Sequence, residues 1–347
     1  MREVFGRLYC TAPLAGGVVF RTESEFVGWL RSRTPRGARG LRFGIGDDAA
    51  IIEGPRGRDL VLKADMSIEG VHFRRELHPP RSVGHRALAR SLSDVAAMGG
   101  TPRFALISLA VSKRVAHAWI KQVYAGIFAL AARFDVVVVG GDTAVVPGAT
   151  LMDVIVIGEV GRGRAVFRSG AQFGDQIYVS GALGLSALGL RLLRSRTGRT
   201  ADAAAARALR AHLHPQPRCA LGVYLANRRL ASALIDVSDG FSTDLDHLCQ
   251  ASGVGATIWQ DRLPLPQLPA HRRLCSEDPL RLALHGGEDY ELLFTVPPRR
   301  AGSVPTSFRG LPVHHIGEIN RSHHLVLIGS DGKPVRLRPE GYDHFRQ

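Results

Sequence analysis

The sequence predicts a layered protein of α-helices and β-sheets, of the α/β or α+β class, and three observations support this prediction. Apolar segments of strand length alternate with longer segments of helical periodicity. The chain has 347 residues, which is enough for two domains with separate cores. Its composition of 45% hydrophobic and 22% charged residues is typical of globular proteins.

The first half of the chain begins with a short helix and continues with alternating strands and helices. Residues 23–33 have an amphipathic pattern. Residues 84–98 have a helical pattern that the following Gly-Gly-Thr-Pro sequence ends. We interpret residues 135–139 as a buried strand that runs into a Gly-Gly-Asp-Thr turn. The other predicted elements of this half are strands over residues 59–65, 104–111 and 151–160 and a helix over residues 115–134.

A second unit is predicted to begin near Gly161. Residues 195–211 are rich in Arg, Ala and Thr without a strong apolar stripe, so we expect a peripheral or mobile segment there. Residues 282–293 contain an acidic, glycine-opened turn before an apolar strand. The other predicted elements are strands over residues 177–180 and 234–237 and helices over residues 184–193 and 241–251.

The net charge of +14 is carried mainly by arginines that are spread along the chain. A basic surface can attract nucleic acid or small acidic ligands, but aromatic residues are not interleaved with the basic ones. The simplest interpretation is a compositional bias toward arginine, which would also favour small phosphorylated substrates. We therefore do not expect a nucleic-acid partner.

The four cysteines are far apart in the sequence and form no CxxC pair. This pattern argues against a zinc site and a disulfide framework and is typical of the reducing cytosol. No apolar run approaches the ~18 residues that span a bilayer. We therefore expect a cytoplasmic protein without a membrane partner, preceded by an N-terminal extension over residues 1–20.

Aspartates next to glycines recur at the ends of apolar segments, most clearly in residues 44–50 (GIGDDAA). The adjacent carboxylates Asp47 and Asp48 repel each other unless a cation lies between them. Oxygen ligands favour hard cations, above all Mg²⁺ when the partner is a phosphate. The chain contains no P-loop, no protein-kinase motif set and no GxSxG motif. Several carboxylates around several Mg²⁺ ions therefore predict phosphoryl transfer.

Asp94 illustrates the alternative to this hypothesis. On a helix over residues 84–98 it falls off the core stripe and shares a face with the small residues Ala87 and Ser91. That position leaves open space in front of the carboxylate, where a metal could bind. A solvated aspartate on the helix surface remains the other interpretation.

Five motifs in this order and spacing resemble the thiamine-monophosphate kinase family: GIGDDAAII, SLSDVAAMGG, VVVVGGDT, IDVSDGFSTDL and HGGEDYELLF. This family belongs to an ATP-binding superfamily that also contains aminoimidazole ribonucleotide synthetase and selenophosphate synthetase. The resemblance covers roughly residues 23–345. The HGGEDYEL sequence and the final GYDHF sequence point to the thiamine branch, whereas the acidic N-terminal motifs are shared across the superfamily.

The resemblance implies a two-domain aminoimidazole ribonucleotide synthetase-like fold. An N-terminal domain over residues 21–160 would dimerise through its sheet into a homodimer, and a C-terminal α/β domain over residues 161–347 would pack behind it. ATP would lie in the cleft near the dimer interface.

The resemblance also implies site residues by their positions. The Mg²⁺ ligands would be Asp48, Asp65, Asp94, Asp142, Asp236 and Asp239. ATP would contact Gly141, Asp142, Arg168 and Ser238. Thiamine monophosphate would contact His72, Glu288 and Tyr342. Structural roles are the alternatives for four of these residues: a solvated side chain for Arg168, an ordinary loop position for His72, a turn cap for Glu288 and C-terminal packing for Tyr342.

The implied reaction transfers the γ-phosphoryl group of ATP to thiamine monophosphate, giving ADP and thiamine diphosphate. The attacking phosphate oxygen is already anionic, so no general base and no catalytic side chain of that kind are expected. The sequence departs from the family at residues 63–66 (KADM), where the family usually has Ser-Thr before the aspartate and Thr after it. Main-chain carbonyls could suffice, one metal site could be weaker, or Lys63 could supply part of a metal's charge.

Three other functions remain open at this stage. The first is a sister enzyme of the superfamily. A selenophosphate synthetase would need a reactive cysteine near a glycine-rich N-terminal region, and Cys10 lacks that context. The carbamoyl-dehydratase relative would end in a cysteine, which this sequence does not. A catalytically silent nucleotide-binding homologue is suggested by Lys63 and Ala64. A nucleic-acid binder is suggested by the net charge of +14.

Overall fold

The computed structural model describes residues 22–33, 40–195, 202–269 and 278–344, which form two β-sheets with helices packed against them. The extension expected over residues 1–20 lies outside the described residues, as does Phe345 of the final motif. Most strand pairs in both sheets are antiparallel, which favours the α+β class over the α/β class.

The N-terminal unit is a six-stranded sheet with two long helices packed against each other. Its elements are α1 (Glu23–Arg33), β1 (Leu41–Phe43), β2 (Ala50–Glu53), β3 (Arg58–Ile68), α2 (Pro80–Ala97), β4 (Thr101–Ser112), α3 (His117–Arg133), β5 (Val137–Val146) and β6 (Leu151–Gly161). The strand order is β1-β2-β3-β6-β4-β5, and β4 and β5 pair in parallel. The helices and strands predicted in this half are present, with ends shifted by a few residues.

Two details of this sheet differ from the expectations. Asp65 was expected to end its strand, but β3 continues to Ile68, so the carboxylate leaves the strand from its interior. The Gly-Gly-Asp-Thr sequence was expected to form a turn after a buried strand, but it lies within β5. That strand is the edge of the sheet and is exposed along most of its length.

The C-terminal unit is a second sheet of mainly antiparallel strands. Its elements are β7 (Gln176–Ser180), α4 (Leu185–Arg194), α5 (Ala203–Leu213), α6 (Cys219–Asn227), β8 (Ala233–Asp236), α7 (Phe241–Ser252), β9 (Gly255–Trp259), a 3₁₀ turn (Gln260–Arg262), α8 (Pro279–His285), β10 (Leu292–Val296), α9 (Pro298–Ala301), β11 (Ser307–Phe308), β12 (Leu311–Asn320), β13 (Leu325–Ile328) and β14 (Pro334–Arg336). The strand order is β14-β13-β9-β12-β7-β10-β8, with β11 paired to β12.

The expectation of a peripheral segment over residues 195–211 is wrong for its described part. Helix α5 packs closely on α4, and its residues Ala205 and Ala208 are buried. Gly189 permits the approach, because a Cβ atom there would lie 2.1 Å from the Ala208 carbonyl oxygen. The buried face of α5 consists of small alanines, so a search for large apolar residues at helical spacing does not detect it.

Helix α2 lies between the two units and joins their cores. It packs on β3, β6 and α3 on one side and on α6 and β8 on the other. At its contact with α6 a Cβ atom on Gly222 would lie 2.1 Å from the Ala96 carbonyl oxygen. The site residues carried by α2 therefore face a cleft between the sheets. Among the described residues, no helix has the length and hydropathy that a membrane span requires.

Candidate functional site

Three buried carboxylates from distant parts of the chain meet in this cleft. Asp48 follows the turn before β2, Asp94 lies on α2, and Asp236 ends β8. Each of them offers an oxygen, and these atoms all lie within 4.8 Å of one another. The alternative of a solvated surface aspartate is wrong for Asp94, because α2 is enclosed and only 8% of the residue is exposed.

Local structure holds the Asp47–Asp48 turn in place. Gly46 has a φ of +124°, a backbone conformation that side-chain-bearing residues rarely adopt. The Asp47 carboxylate accepts hydrogen bonds from the backbone N–H groups of Asp48 (2.9 Å) and Arg168 (3.0 Å). The Arg168 guanidinium pairs with the Asp48 carboxylate. Asp47 therefore organises the turn, whereas Asp48 points into the cluster.

Protein cations pair with the carboxylates of the site. Lys63 Nζ lies 3.0 Å from Asp94 Oδ1, and Arg90 Nη2 lies 3.1 Å from Asp65 Oδ1. Asp236 accepts a hydrogen bond from the Ser93 hydroxyl at 2.5 Å. The chain itself thus offsets part of the negative charge that the buried carboxylates concentrate.

Burial makes this concentration of charge costly. It raises the pKa of Asp236 to about 7, with the nearby Asp48 carboxylate as the next cause. It also raises the pKa of Asp94 well above its ordinary value, and the Lys63 ammonium offsets only part of this rise. Two carboxyl groups that resist ionisation next to each other indicate a site that gains stability from a further cation.

The donor set fits Mg²⁺. Asp48, Asp94 and Asp236 offer carboxylate oxygens, the ligand type that hard divalent cations prefer. Within the described part of the chain, Asp48 Oδ2 is buried and has no hydrogen-bond partner. Buried acceptors without partners are rare in folded proteins, so this oxygen fits the role of a ligand to a cation.

A cavity of about 420 Å³ adjoins the cluster. It brings together residues that the sequence separates by more than 270 positions. Its predicted site residues are Asp65, His72, Asp94, Asp236, Ser238, Asp239, Glu288 and Tyr342. Metal-type carboxylates thus line the same cavity as all three residues expected to contact thiamine monophosphate.

His72 is a cavity-lining residue whose ring has a hydrogen-bond donor available for a ligand. Its Nδ1 atom accepts the backbone N–H of Ile68 at 3.0 Å, so the neutral ring carries its proton on Nε2. Nε2 is buried, and no group in the described part of the structure forms a hydrogen bond with it. Burial and the positive charge of Arg90 lower the pKa of His72 to about 4, which keeps the ring neutral near pH 7. The ring can therefore donate to an oxygen of a bound ligand.

Glu288 is held ionised in the cavity wall. Its backbone has a φ of +66°, and its N–H donates to the Ser238 carbonyl at 2.7 Å. Its carboxylate accepts a hydrogen bond from Arg86 Nη2 at 2.7 Å. Burial alone would raise the pKa of Glu288, but the positive charge of Arg86 outweighs burial and lowers it to about 2. The side chain of Glu288 thus forms an ion pair with Arg86, and its backbone forms the turn next to Ser238.

Tyr342 and Asp239 are joined through the backbone. The N–H of Tyr342 donates to the Asp239 carbonyl at 3.0 Å. The Tyr342 side chain is 52% exposed and lies edge-on to His344, which in turn lies edge-on to His72. These rings border the cavity on its open side.

Two expected residues are not brought to the cluster. Gly141 and Asp142 lie on β5, and two strands separate β5 from β3, which carries Asp65. Arg168 pairs with Asp48 but is not among the residues that line the cavity. The roles of these three residues toward ATP and metal stay predictions.

Several residues of the site were missed in the sequence. Arg86, Arg90 and His212 line or support the cavity but carry no motif signal of their own. Asp244 is buried and accepts the N–H groups of Ser238, Asp239 and Gly240, each at 3.1 Å, so it fixes the turn that bears Asp239. Its place in the first turn of α7 was the available signal.

Comparisons with known proteins give relatives that match most of the chain. Residues 46–160 match the family described as AIR synthase related protein, N-terminal domain, and residues 172–330 match the corresponding C-terminal domain. The chain is 39% identical to thiamine-monophosphate kinase of Escherichia coli K12 over 308 residues, which cover 88% of this chain and 92% of that protein. It is 34% identical to thiamine-monophosphate kinase of Bacillus subtilis, over 91% of this chain and 98% of that protein.

A solved structure has the same fold. AaThiL complexed with AMPPCP and TMP superimposes with a TM-score of 0.80 at 30% sequence identity. The match covers 95% of this chain and 100% of AaThiL.

Proposed function

The chain belongs to the thiamine-monophosphate kinase family and is an ATP-dependent kinase, and we propose that its cleft transfers the γ-phosphoryl group of ATP to thiamine monophosphate. The observation that carries the proposal is the shared cavity. Asp65, Asp94, Asp236 and Asp239 line it together with His72, Glu288 and Tyr342. A metal-type carboxylate cluster beside a pocket for an organic phosphate is what phosphoryl transfer between two phosphates requires.

The pocket residues suit the chemistry of thiamine monophosphate. The buried Nε2–H of His72 suits a phosphate oxygen. The ionised carboxylate of Glu288 suits the cationic thiazolium ring or the amino group of the pyrimidine. Tyr342 offers an aromatic face near the open side of the cavity. The acceptor phosphate is already anionic, so none of these side chains has to remove a proton.

The carboxylates would hold several Mg²⁺ ions. Their ligands would come from Asp48, Asp65, Asp94, Asp236 and Asp239, with Asp142 as the prediction that stands furthest from the cluster. When bound, Mg²⁺ screens the repulsion between the two phosphate-bearing substrates and helps to align them. Arg168 and Ser238 would contact ATP, and Gly141 would let its phosphates approach the backbone.

We also propose a homodimer that forms through the N-terminal sheet. Among the described strands, β5 lies at the edge of its sheet, so its outer backbone groups pair with no other described strand, and its apolar side chains are exposed. Val137, Val139 and Val145 are each more than half exposed, and Phe104 on β4, which is paired with Val137, is also exposed. An exposed apolar edge strand is unstable alone in water and is normally covered.

Two further assignments complete the proposal. The domains are residues 21–160 and residues 161–347, because β6 ends at Gly161 and the next strand begins at Gln176 in the other sheet. The compartment is the cytoplasm, which the buried free thiols of Cys219 and Cys249 support.

The test is a kinase assay on the purified chain with ATP, Mg²⁺ and thiamine monophosphate, with thiamine diphosphate detected by fluorescence after oxidation. We expect product from the wild type. Asp239→Asn and Asp94→Asn should lower kcat by about 10²-fold or more with the fold retained, because each removes a charge that positions the phosphates. Near-normal turnover in both variants would contradict the site.

One other outcome of the assay would favour a silent nucleotide-binding homologue or a sister enzyme over the proposed kinase. If the wild type binds ATP and Mg²⁺ without making product, the chain is a silent nucleotide-binding homologue or a sister enzyme. The ion pair of Lys63 with Asp94 is the observation that keeps the silent homologue open.

A further inference from the structure

Lys63 places an ammonium group inside the carboxylate cluster. Lys63 and Asp65 are two residues apart on β3, so their side chains leave the same face of the strand. Both reach residues of α2, because Lys63 pairs with Asp94 and Asp65 pairs with Arg90. Lys63 also lines the cavity. The ammonium therefore lies beside the Asp94 carboxylate and borders the same cavity as the other carboxylates.

The position of this charge conflicts with full metal occupancy. Asp94 is one of three carboxylates whose oxygens lie within 4.8 Å of one another, and Lys63 Nζ lies 3.0 Å from one of its oxygens. A divalent cation bound to the same oxygen would repel the ammonium at close range. The Lys63 side chain is only 23% exposed, so water and salt screen this repulsion weakly.

We propose that the Lys63 ammonium takes the place of one divalent cation in the site, neutralising Asp94 and facing the phosphates of the bound substrates. This inference rests on the proposed function, because it assigns Lys63 a role in the same phosphoryl-transfer site. An ammonium can fill that role because it is a compact point charge with three donors for phosphate oxygens. Because Lys63 is part of β3, its charge does not dissociate from the site as a bound metal ion can.

The test counts the divalent cations that the full chain binds. Free Mn²⁺ is measured by electron paramagnetic resonance in titrations of the wild type, Lys63→Ser, Lys63→Met and Lys63→Arg, with a non-hydrolysable ATP analogue present. Lys121→Ser is the matched control, because it removes the same charge from an exposed position on α3. We expect Lys63→Ser and Lys63→Met to bind one more Mn²⁺ per chain, or the weakest Mn²⁺ at least tenfold more tightly. Lys63→Arg and Lys121→Ser should match the wild type.

Two results would overturn the proposal. One is unchanged Mn²⁺ number and affinity in both Lys63→Ser and Lys63→Met. The other is a gain in Lys63→Ser alone, which would show that a hydroxyl ligand matters and the charge does not. If Lys63→Met fails to fold, Lys63→Gln replaces it and is judged by the same criterion.

The outcome is separable from that of the kinase assay. Mn²⁺ binding requires no turnover of thiamine monophosphate, so an inactive wild type would refute the proposed function and leave the count of cations valid. Conversely, an active wild type whose Lys63 variants bind no additional or tighter Mn²⁺ would support the proposed kinase function and refute the role of Lys63.

Discussion

Glu288 shows how the charge of a single residue depends on a distant partner. Its carboxylate is stabilised by Arg86, which precedes it by 202 positions. No local pattern in the sequence reports such a pair. The HGGEDYEL motif indicates the residue, and its structural context explains why the residue is ionised. The family motif therefore predicts Glu288 as a site residue, which stays a prediction, whereas its pairing with Arg86 required the structure.

Glu288→Gln tests the charge of this residue. The variant keeps the size and the hydrogen-bonding capacity of the side chain but removes the negative charge that faces a cationic ligand. We expect the KM for thiamine monophosphate to rise about tenfold or more, because a charged hydrogen bond contributes about 1.5–3 kcal/mol, with the KM for ATP nearly unchanged. Initial rates with each substrate varied in turn measure both constants.

The control for this variant is Glu318→Gln on an exposed part of β12. It makes the same chemical change away from the cavity and should leave both constants as in the wild type. An unchanged KM for thiamine monophosphate in Glu288→Gln would remove Glu288 from the substrate-binding residues.

At the scale of elements, the sequence predicted the positions of the helices and strands better than the degree to which each is buried. For α2 it indicated one apolar stripe, but the helix is buried on nearly all sides because α3, α6 and both sheets enclose it. For β5 the run of valines indicated a buried strand, but within one chain the strand is exposed. Periodicity reports which residues avoid water, and it does not report which surface covers them.

Helices α2 and α5 carry the buried neutral histidines His85 and His212, which make stability depend on pH. His85 Nε2 donates to the Pro215 carbonyl at 2.8 Å, and His212 Nε2 lies 3.0 Å from His78 Nε2. Burial lowers the pKa of His85 to about 4. Burial, followed by the charge of Arg86, lowers the pKa of His212 to about 2. Both residues therefore bind protons more tightly in the unfolded chain than in the folded one.

We expect the free energy of unfolding to decrease as the pH falls from about 6.5 toward 4. Each histidine contributes stability that is fully present above its unfolded pKa of about 6.5 and is lost at up to about 1.4 kcal/mol per pH unit below it. Urea unfolding at pH 7.5, 6 and 5 measures the effect. His85→Gln should show a shallower dependence than the wild type, whereas His323→Gln, at an exposed position, should not. Parallel pH profiles for all three proteins would exclude His85 as a source.

At the scale of the whole molecule, the N-terminal sheet has one edge that no described strand covers. This edge is β5, and Val145 on it is 61% exposed. The family resemblance implied dimerisation through this sheet, and the exposed apolar edge gives that implication a physical reason. Covering the edge would satisfy its free N–H and C=O groups and remove apolar surface from water.

Val145→Glu tests whether this edge forms the dimer. A pair of symmetry-related carboxylates in an apolar interface would have to be buried without partners, which costs several kcal/mol per dimer. We expect light scattering coupled to size-exclusion chromatography to give the mass of a dimer for the wild type and of a monomer for Val145→Glu. Phe173→Glu is the control, because Phe173 is equally exposed but lies in the C-terminal unit before β7. A Val145→Glu protein that remains dimeric would place the interface on another surface, because the introduced charge would then lie in water.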